Sequence, residues 1–294
     1  LYTENMAKTN SLLRYPGGKS VLTNTIANIF QMNDMVGGVY VEPYAGGAGI
    51  AMNLLLSGVA GKVIINDADP AISAFWRFLV EDPYEFALRI DSTPISVQEW
   101  HRQKEVFSCP GGYSDREIGF ATFYLNRCNR SGILGANPVG GINQTGKYLI
   151  DARFPKKRLI ALLEKIAPLV DKIEVHQKDA LDLISAISNS YGDAHLLFLD
   201  PPYFLKGATL YMNYYKEDDH AVIARKMKSL SENVKWVVTY DDVGRIRQLY
   251  DGMIIRSFTL HYRSHASRRG EEIFISPPSL KIPEEIITSY KYEV

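Results

Sequence analysis

The chain has 294 residues, 46 % of them hydrophobic and 22 % charged, the profile of a soluble globular protein with one large domain or two smaller ones. Thirty-three basic residues balance thirty-three acidic ones, so no overall basic excess marks a nucleic-acid binder, and any such role must come from local patches. Two cysteines exclude a disulfide framework and a zinc site; with no signal peptide and no apolar run long enough to span a bilayer, a reducing cytoplasm is the expected setting.

Apolar, β-branched runs recur between helical patterns. "GVYVEP" (Gly38 to Pro43) and "KVIIND" (Lys62 to Asp67) read as strands, with the helical "AGIAMNLLLSG" between them. From about Glu81 to Ala167 this rhythm lapses. "EDPYEFALRIDSTPISVQEWHRQKEVF" is helical with a proline break, and "FATFYLNRCNRSGILGANPVGGINQTGKY" is rich in Gly, Asn and Arg, so the interval reads as an insertion with a helical subdomain and an exposed loop or hairpin. "KIEVHQ" (Lys172 to Gln177), "HLLFLD" (His195 to Asp200) and "KWVVTY" (Lys235 to Tyr240) resume the alternation. "MIIRSFTL" (Met253 to Leu260) and "EEIFIS" (Glu271 to Ser276) then follow without a helix, which predicts an antiparallel edge hairpin. The expected class is α/β, a doubly wound and mostly parallel sheet. The division is 1–80 for its first part, 81–167 for the insertion and 168–294 for its second part.

Two stretches carry chemistry. In "FLDPPY", Pro201 and Pro202 cannot donate ladder hydrogen bonds, so the strand stops there and Asp200 and Tyr203 stand on a stiff ledge at its C-terminal end. In open α/β sheets ligands bind at that edge; the plainer reading is a strand followed by a turn. In "VEPYAGGAGI" (Val41 to Ile50), Gly46, Gly47 and Gly49 let the backbone pass close to a ligand at a helix N-terminus, and Asp67 ends the next strand where it can accept from ribose hydroxyls. Dinucleotides and S-adenosylmethionine are both bound in this way, and a glycine turn with a capping Asp would look the same. If the first and fourth strands flank the switch point, the two stretches face one pocket.

"LRYPGGKS" (Leu13 to Ser20), "YVEPYAGGAG", "IND" (Ile65 to Asp67), "FYLNRCNRSGI" and "DPPY" stand in the order of the Dam-like DNA adenine methylases, and the chain resembles that family from about Leu12 to Ser276. Tyr15 and Tyr44 stand where the family commonly has Trp and Phe, and "NRCNRSGILGANPVGG" departs further, which leaves the target sequence open. The resemblance implies a Rossmann-like methyltransferase fold whose inserted, mainly helical subdomain recognises the target, with S-adenosylmethionine as cofactor, no metal, and double-stranded DNA as partner. It also admits a cognate restriction endonuclease, and a monomer is expected.

By position the resemblance assigns Asp200, Pro201, Pro202 and Tyr203 to catalysis. Asp200 and the Pro201 carbonyl would accept the hydrogens of the adenine amine, and Tyr203 would stack on a base turned out of the duplex. It assigns Tyr15, Lys19, Pro43, Tyr44, Gly46, Gly47, Asp67 and Asp179 to the cofactor pocket, with Lys19 a partner for a carboxylate and Asp179 equally readable as a helix cap. Asn126, Arg127 and Arg130 are expected to read bases and Lys156 and Lys157 to meet phosphate. A second basic stretch, Arg263, Arg268 and Arg269, is a weaker candidate, since a charge cluster is usually a solvated face. Alternatives are a methyltransferase acting on cytosine N4, RNA adenine or a glutamine amide, a non-catalytic DNA-binding protein, and more distantly a nicotinamide dehydrogenase.

Overall fold

The computed structural model describes residues 10–14, 18–187, 195–204, 215–263 and 267–286, with the side chains of 261–269 excepted. Tyr15 therefore lies outside the described residues, as do the side chains of Arg263, Arg268 and Arg269.

Seven strands form one sheet: β1 (Val39–Glu42), β2 (Lys62–Asn66), β3 (Ile173–His176), β4 (His195–Leu199), β5 (Lys235–Asp241), β6 (Ile254–Arg263) and β7 (Ser267–Ser276). Their order is β3-β2-β1-β4-β5-β7-β6. The first five are mutually parallel, whereas β7 runs antiparallel to both β5 and β6. The chain thus folds as a mostly parallel α/β sheet, closed at one edge by the expected hairpin.

The continuous apolar runs of the parallel strands follow from burial on both faces. Side chains alternate across the sheet. Tyr40, Val63, Ile65, Leu196, Phe198 and Val237 enter one core, and Val41, Ile64, Leu197, Leu199, Trp236 and Val238 enter the other. The first face is covered by α1 (Thr23–Met32), α2 (Gly49–Leu56) and α3 (Pro70–Glu81), the second by α8 (Ala180–Ile187), α9 (Glu217–Lys228) and α10 (Gly244–Leu249).

The interval 81–167 holds α4 (Pro83–Ser92), α5 (Val97–Ser108), α6 (Asp115–Cys128) and α7 (Lys156–Ile166). Asp82 and Ser96 cap α4 and α5 through the Glu85 and Glu99 amides, and Ser114 with Glu117 forms a capping box on α6. Pro83 opens α4, its missing N–H falling where helices lack a partner anyway. A Cβ on Gly119 would sit 2.5 Å from the Ala74 carbonyl oxygen, so glycine is what allows α6 to lie against α3. Phe75, Phe86, Phe120, Phe123 and Phe154 interlock there, in the same core that covers the sheet. After α6 the chain forms a loop in which Asn129 bridges Pro138. Among the described residues, no helix is long and apolar enough to cross a membrane.

Candidate active site

β1 and β4 are neighbours, with Val41 beside Leu197 in register, so "EPYAGG" and "DPPY" leave the same sheet edge side by side. The chain proceeds from β1 toward β2 on one side, and from β4 toward β5 on the other, which makes this the switch point.

The glycine loop is held by its surroundings. Asn66 donates to the Pro43 carbonyl (2.9 Å) and the Lys178 carbonyl (3.1 Å) and accepts from the Lys178 amide, tying the ends of three strands together. Trp76 Nε1 donates to the Gly46 carbonyl at 2.9 Å, and Ser11 Oγ donates to that of Gly47. Gly46 adopts φ +45° and Ala48 the same value, a left-handed bend just before α2. The Asp67 carboxylate accepts from the Gly46 amide (2.9 Å) and the Asp69 amide (2.9 Å). Burial pushes the Asp67 carboxyl up to about 6 against the pull of those amides. Asp179 caps α8 through the Leu181 amide at 2.8 Å.

Asp200 is braced from two directions. Thr239, on β5, donates to its Oδ1 at 2.8 Å, and Lys19 Nζ lies 2.9 and 3.0 Å from its two oxygens. The same ammonium donates to the Tyr203 hydroxyl at 2.7 Å and stands 4.8 Å from that ring's centroid. Tyr203 in turn donates to Glu272 of β7 at 2.8 Å, and Glu272 Oε2 is 3.4 Å from Lys19. Tyr203 is only 5 % exposed. The expected stacking platform therefore has one face beside an ammonium and its hydroxyl engaged. Pro201 is buried and Pro202 half-buried beside it.

The rest of the pocket is acidic. Tyr44 and Tyr215 meet hydroxyl to hydroxyl at 3.2 Å with rings edge-on, and each feels the charge of Asp179, Tyr215 that of Asp67 as well. Glu42, buried at the end of β1, accepts from the Tyr40 hydroxyl at 2.9 Å on Oε1. Burial raises its carboxyl to about 8, Tyr40 partly offsetting this and the charge of Asp200 adding to it. A cationic sulfonium carrying an ammonium fits the acidic lining, and the half-buried Asp67 keeps lone pairs for a pair of ribose hydroxyls. Among the described residues no His, Cys, Asp and Glu side chains gather as metal ligands.

The expected DNA readers divide. Asn126 is 1 % exposed, accepts from the Arg14 amide at 2.7 Å and donates to the Arg14 and Gly132 carbonyls. Arg127 donates to the Leu12 and Ser11 carbonyls, and burial, with Arg14 and Arg158 nearby, lowers its guanidinium to about 9. The Asn126 amide and the Arg127 Nε and Nη2 bond to backbone and brace the segment that leads to Lys19. Lys156 donates to the Asp91 and Thr93 carbonyls (2.6 and 2.7 Å) at the end of α4, as a cation at a helix C-terminus can. Arg130 and Lys157 are exposed. Glu272, Glu42, Thr239 and Tyr215 are site residues that the sequence reading passed over. The one available signal was a charged residue two positions before Phe274 on a strand buried on both faces.

Among solved structures, the chain is similar to the rRNA methyltransferase aviRa of Streptomyces viridochromogenes (16 % identity, 87 % of this chain and 85 % of that one, TM-score 0.38). It is similar also to PH1948 of Pyrococcus horikoshii, for which an RNA methyltransferase activity has been suggested (11 % identity, 89 % and 85 %, TM-score 0.40). Likenesses of this size carry no argument about substrate. No curated protein matches the sequence. The decisive match is a family model, D12 class N6 adenine-specific DNA methyltransferase, over residues 15–267. That span takes in Lys19, the glycine loop, Asp67 and the Asp-Pro-Pro-Tyr ledge, the parts that the fold brings to one sheet edge, and so the chain belongs to the D12 class N6 adenine-specific DNA methyltransferase family.

Proposed function

We propose that this chain transfers a methyl group from S-adenosylmethionine to the N6 amine of adenine in double-stranded DNA, the target base being turned out of the duplex. The observation that carries the reading is Asp200. Its Oδ1 is pinned by Thr239 and Lys19, and its Oδ2 has Lys19 alone among the described residues. With the Asp200 side chain 20 % exposed, Oδ2 is the oxygen left for a substrate hydrogen.

The exocyclic amine of adenine is a poor nucleophile because its lone pair is delocalised into the ring. A hydrogen bond from that amine to Asp200, and a second to the Pro201 carbonyl, would hold the nitrogen in a geometry that frees the lone pair. Held by the glycine loop and Asp67, S-adenosylmethionine would supply the electrophilic methyl, the carbon–sulfur electron pair staying on sulfur as the N6–carbon bond forms. Asp200, or water beside it, takes the proton that N6 loses. In this reading Asp67 holds the ribose hydroxyls, and Pro43, Tyr44, Gly46 and Gly47 line the methionine side. Exposed Arg130 and Lys157 meet the DNA, and Tyr203 contacts the extruded base with what remains of its ring surface.

Replacing Asp200 with Ala should slow single-turnover transfer by roughly 10²–10⁴-fold while cofactor affinity changes much less. Asp200→Asn should be milder, since the amide oxygen still accepts from the amine. An alanine variant that transfers at the wild-type rate would remove Asp200 from the chemistry.

A further inference from the structure

Glu272 reaches the site from the antiparallel hairpin, where it pairs with Asp241 of β5 on one side and Phe258 of β6 on the other. It is 2 % exposed. Its two oxygens do different things: Oε1 accepts the Tyr203 hydroxyl at 2.8 Å, and Oε2 faces the Lys19 ammonium at 3.4 Å. A hydroxyl that accepts from Lys19 needs an acceptor of its own, and Glu272 is that acceptor. Lys19 is thus one ammonium shared by two carboxylates, Asp200 and Glu272, with the Tyr203 oxygen between them.

From this arrangement we infer that Glu272 is a positioning residue for methyl transfer, setting how tightly Lys19 holds Asp200. The inference rests on the functional reading above and deepens it. With its second carboxylate present, the ammonium divides its attraction, and Asp200 Oδ2 keeps acceptor strength for the adenine amine. With that charge removed, Lys19 holds Asp200 more tightly, and the amine must compete for an oxygen more fully committed. The effect falls on the transfer step. The cofactor's own groups and the exposed cations that meet DNA do not change.

The test compares Glu272→Gln, which keeps an oxygen for Tyr203 but not the charge, with Glu272→Ala, which keeps neither. Folding is checked by melting temperature and cofactor affinity by titration with S-adenosylmethionine. For Glu272→Gln the single-turnover rate on duplex DNA should fall by about tenfold and for Glu272→Ala by about 10²-fold, with KM for DNA within about threefold of wild type. The effect should also depend on Lys19. In a Lys19→Met background, adding Glu272→Gln should cost little more, because the charge it balances is gone. Should Glu272→Gln fail to fold, Glu272→Asp, which keeps the charge on a shorter side chain, should slow transfer less than Glu272→Ala with unchanged cofactor affinity, and equal losses would overturn the inference. A folded Glu272→Gln that transfers at the wild-type rate, or losses that simply multiply in the Lys19→Met background, overturns the inference and leaves the functional reading intact. A wild-type enzyme that methylates no duplex overturns both.

Discussion

Glu42 closes β1 inside the protein, one oxygen accepting from the Tyr40 hydroxyl. Its carboxyl is raised to about 8, chiefly by burial. Below the ordinary carboxylate range it is protonated whether the chain is folded or not, so nothing is lost. Between that range and about pH 8 the unfolded chain gives up a proton that the folded chain keeps, and stability falls as pH rises. Asp67, raised to about 6, works in the same direction over a shorter interval. Thermal unfolding followed from pH 5 to pH 8 should therefore show the wild type losing more than Glu42→Gln, by on the order of 1 kcal/mol per pH unit. Parallel curves would mean that Glu42 carries its charge in the folded protein.

At the scale of elements, the N-terminal segment and α6 belong together. Asn126 and Arg127, on the last turn of α6, hold the backbone of Ser11 to Arg14, and Lys19 enters the site a few residues later. Removing the Asn126 side chain leaves the amide and carbonyl of Arg14 without that partner, at a cost of about 1–3 kcal/mol for each buried group left unpaired. Asn126→Ala should therefore lower the urea midpoint and slow transfer on every DNA sequence alike. Arg130→Ala, at an exposed position, should leave the midpoint unchanged and relax discrimination between a cognate duplex and a single mismatch, by about 1–3 kcal/mol for a bidentate contact. A selective loss for Asn126→Ala would restore it as a reader. This is also where the sequence is ambiguous. Arg and Asn suit base edges because they present paired donors and acceptors, and the same property suits them to gripping backbone. Composition therefore cannot separate the two roles. The seven strands were legible because β-branched runs bounded by Gly, Pro and Asp are local signals. The contacts Lys19–Asp200 and Tyr203–Glu272 join residues far apart in the chain, and no local pattern carries them.

At the scale of the molecule, the helices of 81–167 and the sheet share one core. Phe123 stacks with Phe75 of α3 and meets Phe86 and Phe154 edge-on, in the same cluster as Tyr40, Val63 and Leu196. Phe123→Ala should cost about 3–5 kcal/mol and lower a single unfolding transition for the whole chain. Two separated transitions would show that the helical layer folds by itself. In the proposed function, the shared core would fix cofactor and chemistry at the sheet edge relative to a DNA contact on the loop beyond α6. The central claim is tested most directly by incubating the purified chain with duplex DNA and S-adenosylmethionine carrying a labelled methyl group, then digesting the DNA to nucleosides. The account predicts label in N6-methyladenine, lost in step with Asp200→Ala. Label in N4-methylcytosine, or transfer to RNA with none to duplex DNA, would contradict it.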